Sequence, residues 1–365
     1  MTIRIITADV FDGLAQLPDE SVHCVVTSPP YFGLRDYSME GQIGQEPTLG
    51  EYVDKIVRVC REIKRALRTD GTFWLNVGDS YAGPGKGRNA NGEHSANASS
   101  KQSTNHGATG GMIAQSQQHE IDGHIIPRKS LCLVPYRIAI ALIDDGWLVR
   151  STIAWCKPNP MPESVTDRPT SSHEVILMLS KSPHYFYNAD AVRSELRASS
   201  VTRLAQNVEL QTGSTRANGG AKTNGTMKAV GGRRSDKQRG HSRRHAGFND
   251  RWDSMSKEEQ MAAGANLKNV WVIAPSGYKA EHFATFPPQI PELCIKAGCP
   301  KGGVVLDPFA GAGTTGLVAD RLQRDAILIE LNADYVALIE QRLAEDRTDE
   351  YGERAQLLDL MEAEA

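Results

Sequence analysis

Apolar and polar positions along the first eighty residues fall into short blocks of two kinds. IRIITADV alternates at the two-residue period of a strand, and VFDGLAQLP reads as a short helix ended by Pro18. VHCVVTS is apolar enough for a buried strand, LGEYVDKIVRVCREIKRAL has the spacing of an amphipathic helix, and GTFWLNVG is a third strand. Strands alternating with helices predict an α/β fold around a parallel sheet.

The pattern then breaks twice. From Gly83 to Gly123 the chain turns to Gly, Asn, Ser, Gln and His, as expected of a flexible polar insertion. LCLVPYRIAIALIDDGW predicts a helix, and LVRSTIAWCKP and SHEVILMLSKS two strands. A second polar stretch, roughly Ser194–Asp250, carries Arg197, Arg203, Arg216, Lys222, Lys228, Arg233, Arg234, Lys237, Arg239, Arg243 and Arg244 among very few acids. It reads equally as a solvated linker or as an arm that contacts phosphates. After it, KNVWVIAP, FPPQIPELCIKAG, GGVVLDPF, TTGLVADRLQ and DAILIEL restore the α/β pattern, and a long helix starts near Ala333.

Composition narrows the picture only a little. A chain of 365 residues has room for about two domains, and its 40% hydrophobic and 23% charged residues are ordinary for a globular protein. The net charge of -3 confines any nucleic-acid surface to a local patch. Six cysteines without CxxC spacing point to reduced, buried thiols. No N-terminal signal stands out and the apolar run Ile138–Ile143 is far too short to span a bilayer, so a cytoplasmic protein is expected.

The last third holds the first chemical signal. Gly311-Ala312-Gly313-Thr314-Thr315-Gly316 matches GxGxxG between a strand and a helix, and Glu330 closes the next strand. The glycines admit a ligand close to the backbone, and Glu330 suits a ribose diol. Asp307 argues against a dinucleotide, because a carboxylate at the loop mouth repels pyrophosphate. A ligand with cationic groups and no phosphate fits better, and S-adenosylmethionine carries adenosine, an ammonium and a sulfonium.

At the other end of the chain, VHCVVTS runs into Pro29 and Pro30, which cannot continue a strand. Taken alone, Ser28-Pro29-Pro30-Tyr31 is a rigid turn. In an open α/β sheet, however, both strand-end loops fall on the ligand-binding edge. There one loop can hold a methyl donor and the other an acceptor.

With both loops present, the chain resembles the S-adenosylmethionine-dependent DNA amino-methyltransferases. Their most specific motifs are an [Asp/Asn/Ser]-Pro-Pro-[Tyr/Phe/Trp] loop and an Asp-Pro-Phe-x-Gly-x-Gly-Thr loop. The counterparts here are Ser28-Pro29-Pro30-Tyr31 and Asp307-Pro308-Phe309-Ala310-Gly311-Ala312-Gly313-Thr314. The catalytic motif comes first, as in the circularly permuted β class of prokaryotes and phages. The resemblance implies a Rossmann-like fold: a mostly parallel twisted sheet, helices on both faces and an inserted target-recognition region. It implies residues 1–82 as the catalytic half, 83–123 as the polar insertion and 124–193 as a continuation of the same domain. Residues 194–265 then form the basic DNA-contacting region, 266–345 the donor-binding half and 346–365 an acidic helical tail.

It further implies a cofactor set of Asp9, near the adenine, with Thr27, His282, Phe283, Thr285, Phe286, Asp307, Pro308, Phe309, Gly311, Gly313, Thr314, Thr315 and Glu330. No metal is implied. Duplex DNA is the implied partner, and a homodimer and a cognate restriction endonuclease both suit the family. Ser28 Oγ and the Pro29 carbonyl would accept the amine's N–H groups, Pro30 would stiffen the turn, and Tyr31 would stack on a base flipped from the helix. Transfer is then a direct in-line attack.

Ser in the motif's first position favours cytosine N4 over adenine N6. Contacts to DNA are expected from Trp155 and Asn159 in WCKPNPMPES and from Arg233, Arg234, Arg239, Arg243 and Arg244. Cys299-Pro300 reverses the Pro-Cys order of cytosine-C5 enzymes, so Cys299 reads as structural. A protein-glutamine methyltransferase is disfavoured by Ser28 and by the motif order. A non-catalytic DNA-binding protein is disfavoured because both motifs are complete.

Overall fold

The computed structural model describes residues 1–34, 39, 41–83, 119–195, 259, 264–275 and 286–363, with side chains to residue 348. The chain divides into two compact units, one comprising Met1–Asn188 with Lys268–Ala365 and the other Ala189–Leu267. In the second, few residues are described. Among these, Ser194 and Ala265 pair as an antiparallel bridge that brings its two ends together.

The first unit is built on an eight-stranded sheet. Its elements in chain order are β1 (Ile3–Thr7), α1 (Val10–Ala15), β2 (Val22–Thr27), α2 (Leu49–Ala66) and β3 (Leu67–Val77). The small strands β4 (Glu120–Ile121) and β5 (His124–Ile125) follow, then α3 (Val134–Asp144), β6 (Leu148–Cys156), β7 (His173–Ser180) and β8 (Val270–Val272). The last third supplies α4 (Gln289–Gly298), β9 (Val304–Asp307), α5 (Thr314–Arg321), β10 (Asp325–Glu330) and α6 (Ala333–Ala363). The spatial order is β1-β10-β9-β2-β3-β7-β6-β8, with β7 alone running against the rest. The expected mostly parallel sheet is therefore present.

Side-chain alternation assigns the two faces. On β3, Phe73, Leu75 and Val77 enter the core beneath α1, α2 and α3, while Thr72, Trp74 and Asn76 face the other way. The second face is covered by α4 and α5, and Trp74 donates its indole N–H to Thr72 there at 3.1 Å. Strands covered on both sides explain why VHCVVT is apolar throughout rather than alternating. On α2, Leu49, Tyr52, Val53, Ile56, Cys60 and Ile63 lie on one buried stripe at helical spacing. Burying each aliphatic side chain of that stripe is worth about 1.5–3 kcal/mol.

Three expectations need correction. The helix expected from Leu131 starts at Val134: Leu133 adopts a left-handed φ of 58°, Pro135 occupies the first turn, and Cys132 N–H bonds the Ser80 carbonyl instead. Strand β3 begins four residues before GTFWLNVG, at Leu67, because Leu67 pairs with Val22 directly after α2 ends. The end of the polar stretch, expected to be a flexible loop up to residue 123, contains β4, half of an antiparallel pair with β5.

Candidate active site

A cavity of about 410 Å³ lies beyond the carboxyl ends of β1, β2, β9 and β10, all in the first unit. It is lined by Asp9 after β1, by Ser28, Pro29, Pro30 and Tyr31 after β2, and by Asp307 through Ala312 after β9. Thr314, Phe286 and Glu330 also line it. The two loops meet because β2 and β9 are neighbours, with Cys24 beside Val305 and Val25 beside Leu306.

Asp307 joins them chemically. It is buried at the end of β9, where Thr27 Oγ1 donates to its Oδ1 at 2.6 Å and Thr315 Oγ1 to its Oδ2 at 2.7 Å. The Phe309 amide adds a third bond at 3.1 Å. Burial nevertheless outweighs these bonds and pushes the carboxyl up to about 6. From the sequence this carboxylate was expected at the mouth of the glycine loop. It lies on the cavity floor instead, with both oxygens already engaged by the protein. Thr27 and Thr315 are fully buried behind it and hold it in place without lining the cavity.

The glycine loop is shaped around the same floor. Gly313 caps α5 with a φ of 75°, and a Cβ there would lie 2.8 Å from Ile339 Cγ2, so no larger residue fits. It too stays out of the cavity lining. Glu330 accepts from the Gly311 amide at 2.7 Å and the Asn332 amide at 2.9 Å, and burial raises its carboxyl above the usual range. Each oxygen has a second acceptor site, as a ligand diol requires. At the β1 end, Asp9 caps α1 through the Phe11 amide at 2.8 Å. Three acidic groups, Asp9, Glu330 and Asp307, follow the neighbouring strands β1, β10 and β9 and line the cavity, which fits a nucleoside that carries positive charge.

The proline turn is braced from below. Tyr52 on α2 donates its hydroxyl to the Pro30 carbonyl at 2.9 Å, while no described residue donates to the Pro29 carbonyl. Tyr31 packs its ring over Gly78, where an added Cβ would lie 2.4 Å from Tyr31 Cε2. Its hydroxyl donates to Glu174 Oε2 at 2.8 Å and receives from Ser28 Oγ at 3.3 Å. Burial and the Glu174 charge together hold the phenol well above its ordinary range.

Three polar residues here were not singled out from the sequence: Asn76, Lys157 and Glu174. Register brings them together. Asn76 pairs with Ile176 across β3 and β7, Glu174 lies two residues along β7 on the same face, and Glu174 pairs with Trp155 on β6. Lys157 forms an ion pair with Glu174 and places its ammonium 4.5 Å from the Trp155 ring centroid. The available signal was a lone polar residue in an apolar strand: Asn76 within TFWLNV and Glu174 at the start of EVILML.

Trp155 does line the cavity, anchored by its indole N–H to the Ile273 carbonyl at 2.9 Å. Asn159 does not. It is exposed and outside the lining, because β6 ends at Cys156 and the following prolines carry the chain away. His282, Phe283 and Thr285, like Arg233, Arg234, Arg239, Arg243 and Arg244, lie outside the described residues. Cys299 is buried and its thiol is raised by desolvation to about 12, which suits a structural role.

Comparison with known proteins agrees with this geometry. A family model described as DNA methylase, of the N6/N4 methyltransferase type, matches residues 22–341. The type II methyltransferase M.SmaI of Serratia marcescens is 35% identical over 344 residues, covering 94% of this chain and 91% of its own. M.XycI of Xanthomonas campestris pv. cyanopsidis is 35% identical over 336 residues, covering 92% and 85%. Among solved structures, the PvuII DNA methyltransferase, described as cytosine-N4-specific, superposes with a TM-score of 0.52 at 18% identity, covering 95% of this chain and 91% of its own. A putative DNA modification methylase of Thermus thermophilus, complexed with S-adenosyl-L-methionine, gives 0.51 at 21% identity and 94% of both chains. These last two likenesses establish the fold. With a family match over most of its length and both loops on one cavity, the chain belongs to the N6/N4 DNA methylases, S-adenosylmethionine-dependent enzymes that methylate exocyclic amines of DNA bases.

Proposed function

We propose that the chain methylates the N4 amine of cytosine in duplex DNA, after the base has left the helix. The carrying observation is that Ser28 and Pro29 both line the cavity, on the loop tied to the glycine loop through Thr27 and Asp307. An exocyclic amine is a poor nucleophile because its lone pair is delocalised into the ring. Two acceptors at its N–H groups favour a tetrahedral nitrogen and localise that pair. The prolines and the Tyr52 bond fix those acceptors beforehand, which lowers the cost of organising them during reaction. S-adenosylmethionine supplies a methyl group on a positively charged sulfur. Asp9 and Glu330 would hold its nucleoside portion, and Asp307 would set the charge of the floor. Tyr31 and Trp155, which both line the cavity, would hold a flipped base between them.

Digestion of DNA methylated by the protein, followed by mass spectrometry of the nucleosides, is expected to yield N4-methylcytosine. N6-methyladenine alone would overturn the base assignment and leave the reaction class in place. Target recognition is assigned to residues 194–265, where Arg233, Arg234, Arg239, Arg243 and Arg244 would contact phosphates or guanine edges. Deleting residues 213–244 is expected to abolish DNA binding in a gel-shift assay while S-adenosylmethionine binding persists. Undiminished DNA methylation by the deletion variant would remove this assignment.

A further inference from the structure

Methylating an amine leaves a proton to be removed, and neither acceptor on the proline turn is a base. The Pro29 carbonyl holds no proton durably, and Ser28 must pass on whatever it receives. The cavity nonetheless contains a carboxylate, Glu174, that the reaction as described leaves unused.

Three hydrogen-bonding groups run from the turn to that carboxylate in one direction. Ser28 Oγ donates to Tyr31 Oη at 3.3 Å, and Tyr31 Oη donates to Glu174 Oε2 at 2.8 Å. Asn76 Nδ2 lies 3.3 Å from Ser28 Oγ, 3.0 Å from Tyr31 Oη and 3.1 Å from Glu174 Oε2, and its two N–H groups serve this cluster of three oxygens. Asn76 is neutral and cannot serve as the base. Lys157 occupies the other carboxylate oxygen, Oε1, which leaves Oε2 to face Tyr31. The Glu174 and Lys157 side chains are 19% and 22% exposed, enough for the carboxyl to exchange its proton with solvent after each turnover.

We propose that Glu174 is the proton acceptor at the far end of a Ser28–Tyr31–Glu174 chain that drains the amine being methylated. The inference rests on the amino-methyltransferase reading and deepens it. As the amine nitrogen bonds the methyl carbon, the carbon–sulfur bond breaks and its electron pair stays on sulfur, which becomes a neutral thioether. The nitrogen, now positively charged, gives one proton to Ser28 Oγ. Ser28 gives its own proton to Tyr31, and Tyr31 gives its own to Glu174 Oε2. The balance is one N–H bond lost and one carboxyl O–H gained. The raised Tyr31 phenol supports a concerted transfer, since this tyrosine releases its proton only as it receives another. Glu174 acts through Ser28 and Tyr31 and is in that sense a positioning residue.

The test uses the full chain, tritiated S-adenosylmethionine and plasmid DNA from a methyltransferase-free host. Glu174→Gln keeps an oxygen that accepts from Tyr31 but removes the base. Its kcat is expected to fall at least 30-fold, with KM for DNA and for S-adenosylmethionine within twofold of wild type. Glu174→Asp, which restores a carboxylate, is expected to recover kcat to within tenfold. If Glu174 merely holds the tyrosine ring, Glu174→Gln keeps kcat within threefold, and that result overturns the proposal. Should Glu174→Gln fail to fold, Tyr31→Phe decides instead: it cuts the chain and leaves the carboxylate. A 30-fold loss supports the relay, and a kcat within threefold overturns it. A wild-type chain that transfers no methyl to DNA would overturn the functional reading and the relay together, whereas an active wild type with unchanged variants overturns the relay alone.

Discussion

Replacing Ser28 with alanine is expected to lower the single-turnover rate of methyl transfer to DNA by about 10²–10³-fold, the size of effect seen when one preorganised partner of a developing charge is removed. The hydroxyl is one of two acceptors the turn offers to the amine, and it is the only side-chain one. The rest of the cluster survives the change, because Asn76 still bonds Tyr31 and Glu174, and Tyr31 still bonds Glu174. Affinity for S-adenosylmethionine, measured by calorimetric titration, is expected to stay within twofold of wild type, since Ser28 takes no part in holding Asp307 or Glu330. Rapid-quench measurement of the transfer step checks the rate. A variant within fivefold of wild type would show that the Pro29 carbonyl suffices and that Ser28 is not the acceptor.

The second large effect concerns Asp307, where binding and stability are expected to move in opposite directions. Its folded carboxyl titrates at about 6, against an ordinary value of 3.8. A raised acid contributes stability that is fully present below the unfolded value and is lost as pH rises through the folded one. The loss therefore spans roughly pH 4 to 6 and amounts to about 3 kcal/mol for a shift of this size in a buried group. Asp307→Asn keeps an oxygen for Thr27 and Phe309, and its amide can donate to Thr315, which itself has the Val26 carbonyl within 3.4 Å. The variant is expected to be more stable than wild type above pH 6 by up to about 3 kcal/mol. That advantage should disappear as pH falls below about 4.

The readout is the difference between urea-unfolding free energies of the two proteins across pH. It cancels the titrating groups that do not feel Asp307 and leaves in Glu330, whose carboxyl the Asp307 charge helps to raise. Glu330 is shifted in the same sense, while Glu20, Asp70 and Asp167 are shifted in the opposite one. Affinity for S-adenosylmethionine is expected to drop at least tenfold, because the floor no longer carries a negative charge under a cationic ligand. A variant with wild-type affinity would reduce Asp307 to a structural tie between β2 and β9. The buried charge would in that case serve the fold and not the ligand.

Much of the architecture was legible in the sequence because periodicity is a local property. Apolar runs in β2, β7 and β9 reported strands covered on both faces, and the stripe on α2 reported a helix with one buried side. Errors fell at boundaries, where a distant partner decides. Leu67 joins β3 because Val22 is beside it, and Leu133 turns left-handed where Cys132 is held by Ser80. The two loops were legible as well, since proline and glycine restrict or widen backbone conformation wherever they occur.

The chain by itself determined the residue types that chemistry needs: a rigid turn with a hydroxyl, a glycine loop with an acid, and two acidic strand ends. Only the tertiary structure decided where each lies and what it touches. It sank Asp307 to the cavity floor, engaged Thr27 and Thr315 behind it, and left Asn159 outside the cavity lining. It also brought Asn76 on β3, Glu174 on β7 and Lys157 just past β6 together around Tyr31. The reason is strand register: Asn76 shares a face with Glu174 only because β3 pairs with β7, about a hundred residues further along the chain, and no local pattern encodes that pairing.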